Sequence, residues 1–343
     1  MGEVLIEKYT RQDTYFAKGI AILGMLFHHA YPNICYRPFF LLEDQSFVAL
    51  FAATLKFSIS LMTILSGFGL AQVYRSKNIK TVKGNITFVI SRFIQLFSIY
   101  WPVNVMIGFF TFIKDVFIEP RADAGGLELF LEITGIKPLT GDWFLIAIMI
   151  LYALFPLLYK FVDRFGVKAL AVTFIPWLLY FVRLFFGYLL LSFDTALFYI
   201  FAFSLGIYLS TGEKLVRKIS VKKSDILKAV LLLILSILLR LVITLPVDAF
   251  VALAILHIQS LTGSGTGILS KILKLYGKQS PNIWLLQYSI FILVDRFFTG
   301  HWLIRLLLIC GACLAASLIL NIIKKVTGFD PAIKKFRVFV ENK

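Results

Sequence analysis

The chain has 343 residues, 59% of them apolar, and a net charge of +16. Soluble domains are roughly 45–50% apolar, so this composition, with a mean hydropathy of +0.86, excludes an ordinary soluble enzyme. The apolar runs are continuous rather than alternating, which argues against a β-barrel.

Runs of bilayer length recur from Phe16 to near Leu320. They predict an all-α, polytopic membrane protein, a bundle of about ten transmembrane helices. In chain order the helices fall near 16–36, 48–73, 88–113, 143–161, 168–182, 193–210, 226–243, 246–262, 282–298 and 303–323. Only Arg183 and Asp194 divide the run from Val167 to Ser210, so the fifth and sixth helices are the least sharply bounded. The connecting segments on one side of this map carry 25 Lys and Arg, those on the other side 8. By the positive-inside rule the basic side is cytoplasmic, so both termini are cytoplasmic and the helix count is even. The basic excess then reflects topology and attraction to anionic membrane lipids, not nucleic-acid binding. Residues 1–343 form one integral-membrane domain, with the bundle at about 16–323 and a basic tail at 324–343. Residues 1–12 mix charges, and the first run reads as an uncleaved helix rather than a signal peptide.

The first helix carries the strongest chemical signal, the adjacent pair His28-His29. Ionisable groups inside a bilayer are rare and usually functional. Lys18 and His29 are eleven positions apart, which returns them to within about 20° of one helix face and separates them by roughly 16 Å. They are expected at opposite ends of one channel, with Lys18 at its cytoplasmic mouth. His28 is rotated away by about 100° and is expected to face elsewhere; a plain alternative is that one histidine bonds a neighbouring helix. Asp13, five residues before Lys18, either orients it or starts the helix.

Further along, Ser66-Gly67 reads as a close-packing step between helices. Arg92, a few residues into the third helix, should snorkel or pair with an anion. The longest polar segment, 114–142, is acidic and external; Leu-Glu-Leu-Phe-Leu-Glu at 127–132 could lie as an interfacial helix or a surface loop. Lys56, Arg183 and Arg240 read as snorkelling residues on the outer side. Asp248 is either a partner for His29 across the bundle or a boundary carboxylate. Gly263-Ser-Gly-Thr-Gly267, followed by Lys271, Lys274 and Lys278, is either a flexible loop or a phosphate cradle, although it lacks a Walker pattern. Cys310 and Cys313 share a helix face and read as small packing residues, and Cys35 has no partner in this map. No metal site is predicted.

These stretches together resemble membrane acyltransferase family 3. Its first-helix signature, an Asp, then Arg or Lys, then ten residues, then His, falls on Asp13, Lys18 and His29, with Gly19-Ile-Ala-Ile-Leu23 between. In the same order come Ile-Leu-Ser66-Gly67-Phe68, Arg92 with Tyr100-Trp101-Pro102, Trp143-Phe-Leu with Tyr152 and Pro156, Phe203-Ser-Leu-Gly206-Ile-Tyr, and Tyr276-Gly-Lys-Gln-Ser280-Pro-Asn-Ile-Trp284-Leu. The likeness covers nearly the whole chain. Two positions depart from the family pattern: Gln95 stands where it has a second arginine, and Gln287 where it has a histidine.

The resemblance implies a multi-pass protein of the plasma membrane. It implies transfer of an acyl group, commonly acetyl, from cytoplasmic acyl-CoA to a hydroxyl of an exopolysaccharide or other cell-envelope glycan. On this reading His29 is the catalytic base with Asp248 as candidate partner. Lys18, Asp13 and Arg92 serve the acyl-CoA, and Trp143, Ser280 and Trp284 the acceptor. Partners would be membrane lipids, the glycan, and a second copy of the chain or polysaccharide-assembly proteins. A transporter or flippase for a lipid-linked sugar or small solute would also need His, Lys and Asp within the membrane. A non-catalytic sensor of the same fold is a further alternative, opened by Gln95 and Gln287.

Overall fold

A computed structural model describes residues 6–31, 46–113, 130–131, 143–186, 194–212, 214–218, 221–243, 247–298 and 300–342. In chain order these hold β1 (Ile6–Lys8), α1 (Arg11–Ala30), α2 (Phe47–Thr54), α3 (Phe57–Ser76), α4 (Val82–Ile113), α5 (Trp143–Phe165), α6 (Val167–Phe186), α7 (Asp194–Thr211), β2 (Val216–Lys218), α8 (Lys223–Ile243), α9 (Asp248–Thr262), α10 (Ile268–Phe297), α11 (Trp302–Val326) and α12 (Phe329–Asn342). The fold is all-α apart from the antiparallel pair β1·β2, in which Glu7 stands opposite Arg217. Two compact units are present: Met1–Ile79 with Ala147–Lys278, and Lys80–Ile146 with Gln279–Lys343.

Among the described residues, four helical stretches are long and apolar enough to cross a membrane: Phe47–Ser76, Val82–Phe109, Trp143–Phe165 and Trp302–Val326. α8 shows why water is the wrong solvent for this surface. Leu227, Leu231, Leu235, Leu238 and Val242 follow helical spacing down one face and are all exposed. Such a stripe needs lipid or protein against it.

α3 is the centre of the first unit, buried around nearly its whole circumference and packed by α1, α7 and α9. Its polar side chains bond carbonyls three or four residues back along the chain. Ser58 donates to the Leu55 carbonyl at 2.6 Å, Thr63 to Ile59 at 2.8 Å and Ser66 to Met62 at 2.8 Å. In the second unit, Val103 and Ile107 of α4, Leu286 of α10 and Leu320 of α11 form a buried cluster.

Glycines set two close crossings in the first unit. A Cβ at Gly67 would strike the Phe203 carbonyl, and one at Gly206 the Ile64 carbonyl, so α3 and α7 touch backbone to backbone. A Cβ at Gly19 would strike the Leu273 carbonyl, and one at Gly277 the Tyr15 carbonyl, which brings α1 against the start of α10 in the same way. The close-packing role read for Gly67 is thus present, and four motif glycines share it. Gly277→Ala is expected to cost about 1–3 kcal/mol through overpacking against rigid backbone. The check is the unfolding temperature of the purified protein, with Gly311→Ala, which meets nothing within 4 Å, as the silent control.

Several expected boundaries move. The single helix at 48–73 is two helices, because α2 stops at Thr54 and α3 begins at Phe57. The helix placed at 282–298 begins instead at Ile268, and Pro281 lies inside it at the loss of one backbone bond. The basic tail contains α12, whose Phe329, Ile333, Phe336 and Val340 recur at helical spacing. The β1·β2 pair was not expected. Cys35 and nearly all of 114–142, including most of the 127–132 stretch, lie outside the described residues.

Candidate functional site

α1 begins with a capping box. Thr10 is the N-cap, its hydroxyl accepts from the Asp13 N–H at 3.2 Å, and the Thr10 N–H donates back to Asp13 Oδ2 at 2.8 Å. The Thr10 hydroxyl also donates to Oδ2, and the Ser264 hydroxyl donates to Oδ1. Gln259 donates to the Asp13 carbonyl at 2.9 Å and accepts from the Tyr9 hydroxyl at 2.8 Å. Both carboxylate oxygens are therefore engaged, and Asp13 ties α1 to the loop after α9 rather than orienting Lys18. The glycine-rich segment is that loop. Gly263 and Gly265 have φ of +71° and +63°, and the Gly265 carbonyl accepts from Ser270 at 2.8 Å and Lys274 at 3.1 Å. It serves as a helix stop and a clasp on Asp13.

Burial pushes the Asp13 carboxyl up, but the hydrogen bonds from Ser264 and Thr10 and the Arg217 charge outweigh it and hold the group below the usual carboxylate range. A carboxyl lowered on folding stabilises the protein above its unfolded value, near pH 4, and that stability is lost as pH falls through the folded value. Asp13→Asn is expected to remove about 1 kcal/mol at neutral pH and to flatten the acid limb of an unfolding-temperature titration.

Lys18 is half-buried, and Arg11, seven residues earlier on α1, lies close enough to act on its charge. Between Lys18 and His29, however, the same helix face carries Ile22 and Met25, both 0% exposed. That stripe is packed against protein and is not an open channel, which corrects the expected path along it. His29 itself, at the end of α1, is exposed.

His28 is half-buried where His29 is exposed. The two rings lie 5.4 Å apart between centroids, tilted by 46°. His28 Nδ1 is 2.9 Å from the Ala52 carbonyl of α2, so the plain alternative of a bond to a neighbouring helix holds for this histidine. The Lys56 N–H reaches back to Ala53 at 3.5 Å, and the imidazole takes the Ala52 carbonyl in the last turn of α2.

The charged residues nearby also depart from expectation. Arg240 and Lys56 do not snorkel: each is only 5% exposed. Arg240 Nε donates to Asp248 Oδ1 at 2.9 Å, and Asp248 is 2% exposed. Both cations act on the charges of Asp248 and His28. Asp248 is thus committed to Arg240 in a buried ion pair, not left as a boundary carboxylate. The side chain of Arg183 lies outside the described residues.

In the second unit, Arg92 donates to Gln95 at 2.9 Å and lies over the Phe88 ring at 4.8 Å. Gln95, in place of the family arginine, thereby accepts from the arginine that remains. Trp143 touches Phe144, which packs on Trp284 with centroids 4.6 Å apart, while Ser280 is fully buried one turn before Trp284 on α10. Gln287 is buried, and its Oε1 has no hydrogen-bond partner among the described residues. Cys313 is buried within α11. Sequence reasoning passed over Gln259 and took Ser264 only as part of the glycine-rich segment, although the Thr-x-x-Asp at 10–13 marks the helix start they secure.

These features define a multi-pass helical membrane protein with paired histidines at one helix end. The acyltransferase-domain profile of family 3 matches residues 16–322, and the chain belongs to that family. No curated protein and no solved structure matched it significantly.

Proposed function

We propose that the protein is an integral-membrane O-acyltransferase that moves an acyl group, acetyl in the simplest case, from acyl-CoA to a hydroxyl of an exopolysaccharide or other cell-envelope glycan. The observation that carries this reading is the exposed His29 beside a fixed second imidazole, in a chain of an acyltransferase family. A neutral imidazole takes the proton of the acceptor hydroxyl as its oxygen attacks the thioester carbon, and the departing thiolate recovers that proton. Lys18 and Arg11, adjacent cations on the first turns of α1, hold acyl-CoA phosphates. Because Ile22 and Met25 fill the direct face, the pantetheine arm passes beside that stripe. Arg92 is assigned to acyl-CoA by its third-helix motif, and Trp143, Ser280 and Trp284 to the acceptor by theirs. Asp248 acts on the site through Arg240. The charge asymmetry of the connecting segments supports a plasma-membrane protein with both termini cytoplasmic.

The test has two arms. Purified protein in lipid nanodiscs is given acetyl-CoA and an envelope glycan fraction, and thiol release is followed; glycans from cells with and without the protein are compared by mass spectrometry. Acceptor-dependent thiol release and a glycan acyl mass that disappears with the protein are expected. Neither signal appearing would sink the reading in favour of a sensor or transporter.

A further inference from the structure

α10 buries three amide side chains, Gln279, Asn282 and Gln287, which are 5%, 6% and 6% exposed. Two of them are satisfied by α11. Gln279 Oε1 accepts from Ser317 at 2.9 Å and from Asn321 at 2.6 Å, and Asn282 donates to Asn321 Oδ1 at 3.1 Å. Gln287, equally buried, has an Oε1 with no hydrogen-bond partner among the described residues. A buried acceptor without a donor lowers stability, and an apolar side chain of the same size there would not. The surroundings of Gln287 are aromatic. Trp284 is one helical turn back, and Ser280 is two turns back, within about 20° of the same face. Trp284 packs on Phe144 and Phe144 on Trp143, with centroids 4.6 and 5.8 Å apart. Trp143 is 37% exposed and Trp284 half-buried, so the row leads from the surface toward the Gln287 face. None of these side chains is charged. Apolar rings with one precisely placed polar atom are the usual lining of a site for a neutral small group.

We infer that Gln287 is a specificity-determining residue for the acyl acceptor: with Trp284 it forms a subsite for one neutral sugar ring, whose hydroxyl donates to Gln287 Oε1 while its C–H face lies on the indole. An amide oxygen only accepts, so the ligand must bring an O–H or N–H. The pantetheine arm of acyl-CoA also carries N–H donors, but it has no ring face to match the aromatic row. The hydroxyl held by Gln287 is not the one acylated, and no proton moves at this subsite. The inference deepens the acyltransferase reading and rests on it for the identity of the ligand.

Gln287→Met and Gln287→Leu remove the acceptor oxygen and nearly keep the volume. In nanodiscs both should unfold at or above the wild-type temperature, because an unsatisfied buried group is gone. In thiol release from acetyl-CoA with an envelope glycan fraction, KM for the glycan should rise about tenfold, the size of one hydrogen bond. KM for acetyl-CoA and kcat should not change. The same glycan fraction should raise the unfolding temperature of the wild type and raise it less in the variants, a readout that needs no turnover. A folded variant with wild-type glycan KM overturns the inference and leaves the acyltransferase reading standing. A rise in KM for acetyl-CoA instead overturns it by giving Oε1 to the donor. Variants that unfold earlier than the wild type, or do not fold, overturn it as well, because the amide is then needed within the chain. A wild-type protein that is stabilised by the glycan through Gln287 but transfers nothing supports the subsite and overturns the acyltransferase reading.

Discussion

His29→Ala should lower acyl transfer by about 10²–10⁴-fold, the usual contribution of a positioned general base, while leaving the protein folded and inserted. The expectation rests on a contrast within α1. Ile22, Met25 and Leu26 are fully buried and truncating them would disturb the core, whereas His29 is exposed at the helix end. Exposed positions of this kind usually tolerate substitution within about 0.5 kcal/mol. Loss of activity without loss of stability therefore isolates chemistry from folding. The measurement is glycan acylation by mass spectrometry beside expression level and unfolding temperature in the same lipid. An active, normally expressed His29→Ala protein would remove the base from this residue. A parallel loss of activity and stability would make His29 structural.

The helical bundle was legible because hydrophobic runs of bilayer length leave little choice of fold. Where the chain departs from uniform helix, local polar chemistry decides, and hydropathy does not register it. The stop at Thr54 is an example. Residues 48–73 read as one apolar run, yet the Thr54 hydroxyl takes the Phe51 carbonyl at 2.6 Å and the Ser58 hydroxyl the Leu55 carbonyl at 2.6 Å. Those bonds compete with helix propagation, and only the position of His28 in space shows where the Ala52 carbonyl finds its donor. A rotation of about 100° separates successive side chains along a helix, but at the last turn of α1 the two rings still approach each other. Helical phase puts Lys18 and His29 on one face but says nothing about what packs on it, and Ile22 and Met25 are buried there. Asp13 was the more readable case: Thr10 three residues before it is the capping pattern itself.

Asp248→Leu should be the most damaging single change to stability at the charged cluster, costing about 3–5 kcal/mol, because it leaves the buried Arg240 without the carboxylate it bonds. Arg240→Met should cost less, since Lys56 still acts on the Asp248 charge. The double variant Arg240→Met with Asp248→Leu should recover most of the loss. Replacing a whole buried ion pair by apolar groups of similar size is often close to neutral, because both desolvation penalties disappear with the attraction. Unfolding temperatures of the two single variants and the double variant form a cycle, and a coupling near zero would show that the pair contributes nothing as a pair. The same double variant decides what Asp248 does for chemistry. If Asp248 acts by holding Arg240 in place, the refolded double variant should keep acyl transfer within about tenfold, the loss associated with an outlying orienting contact. A stable double variant with the full activity loss of His29→Ala would instead put the Asp248 carboxylate in the reaction itself.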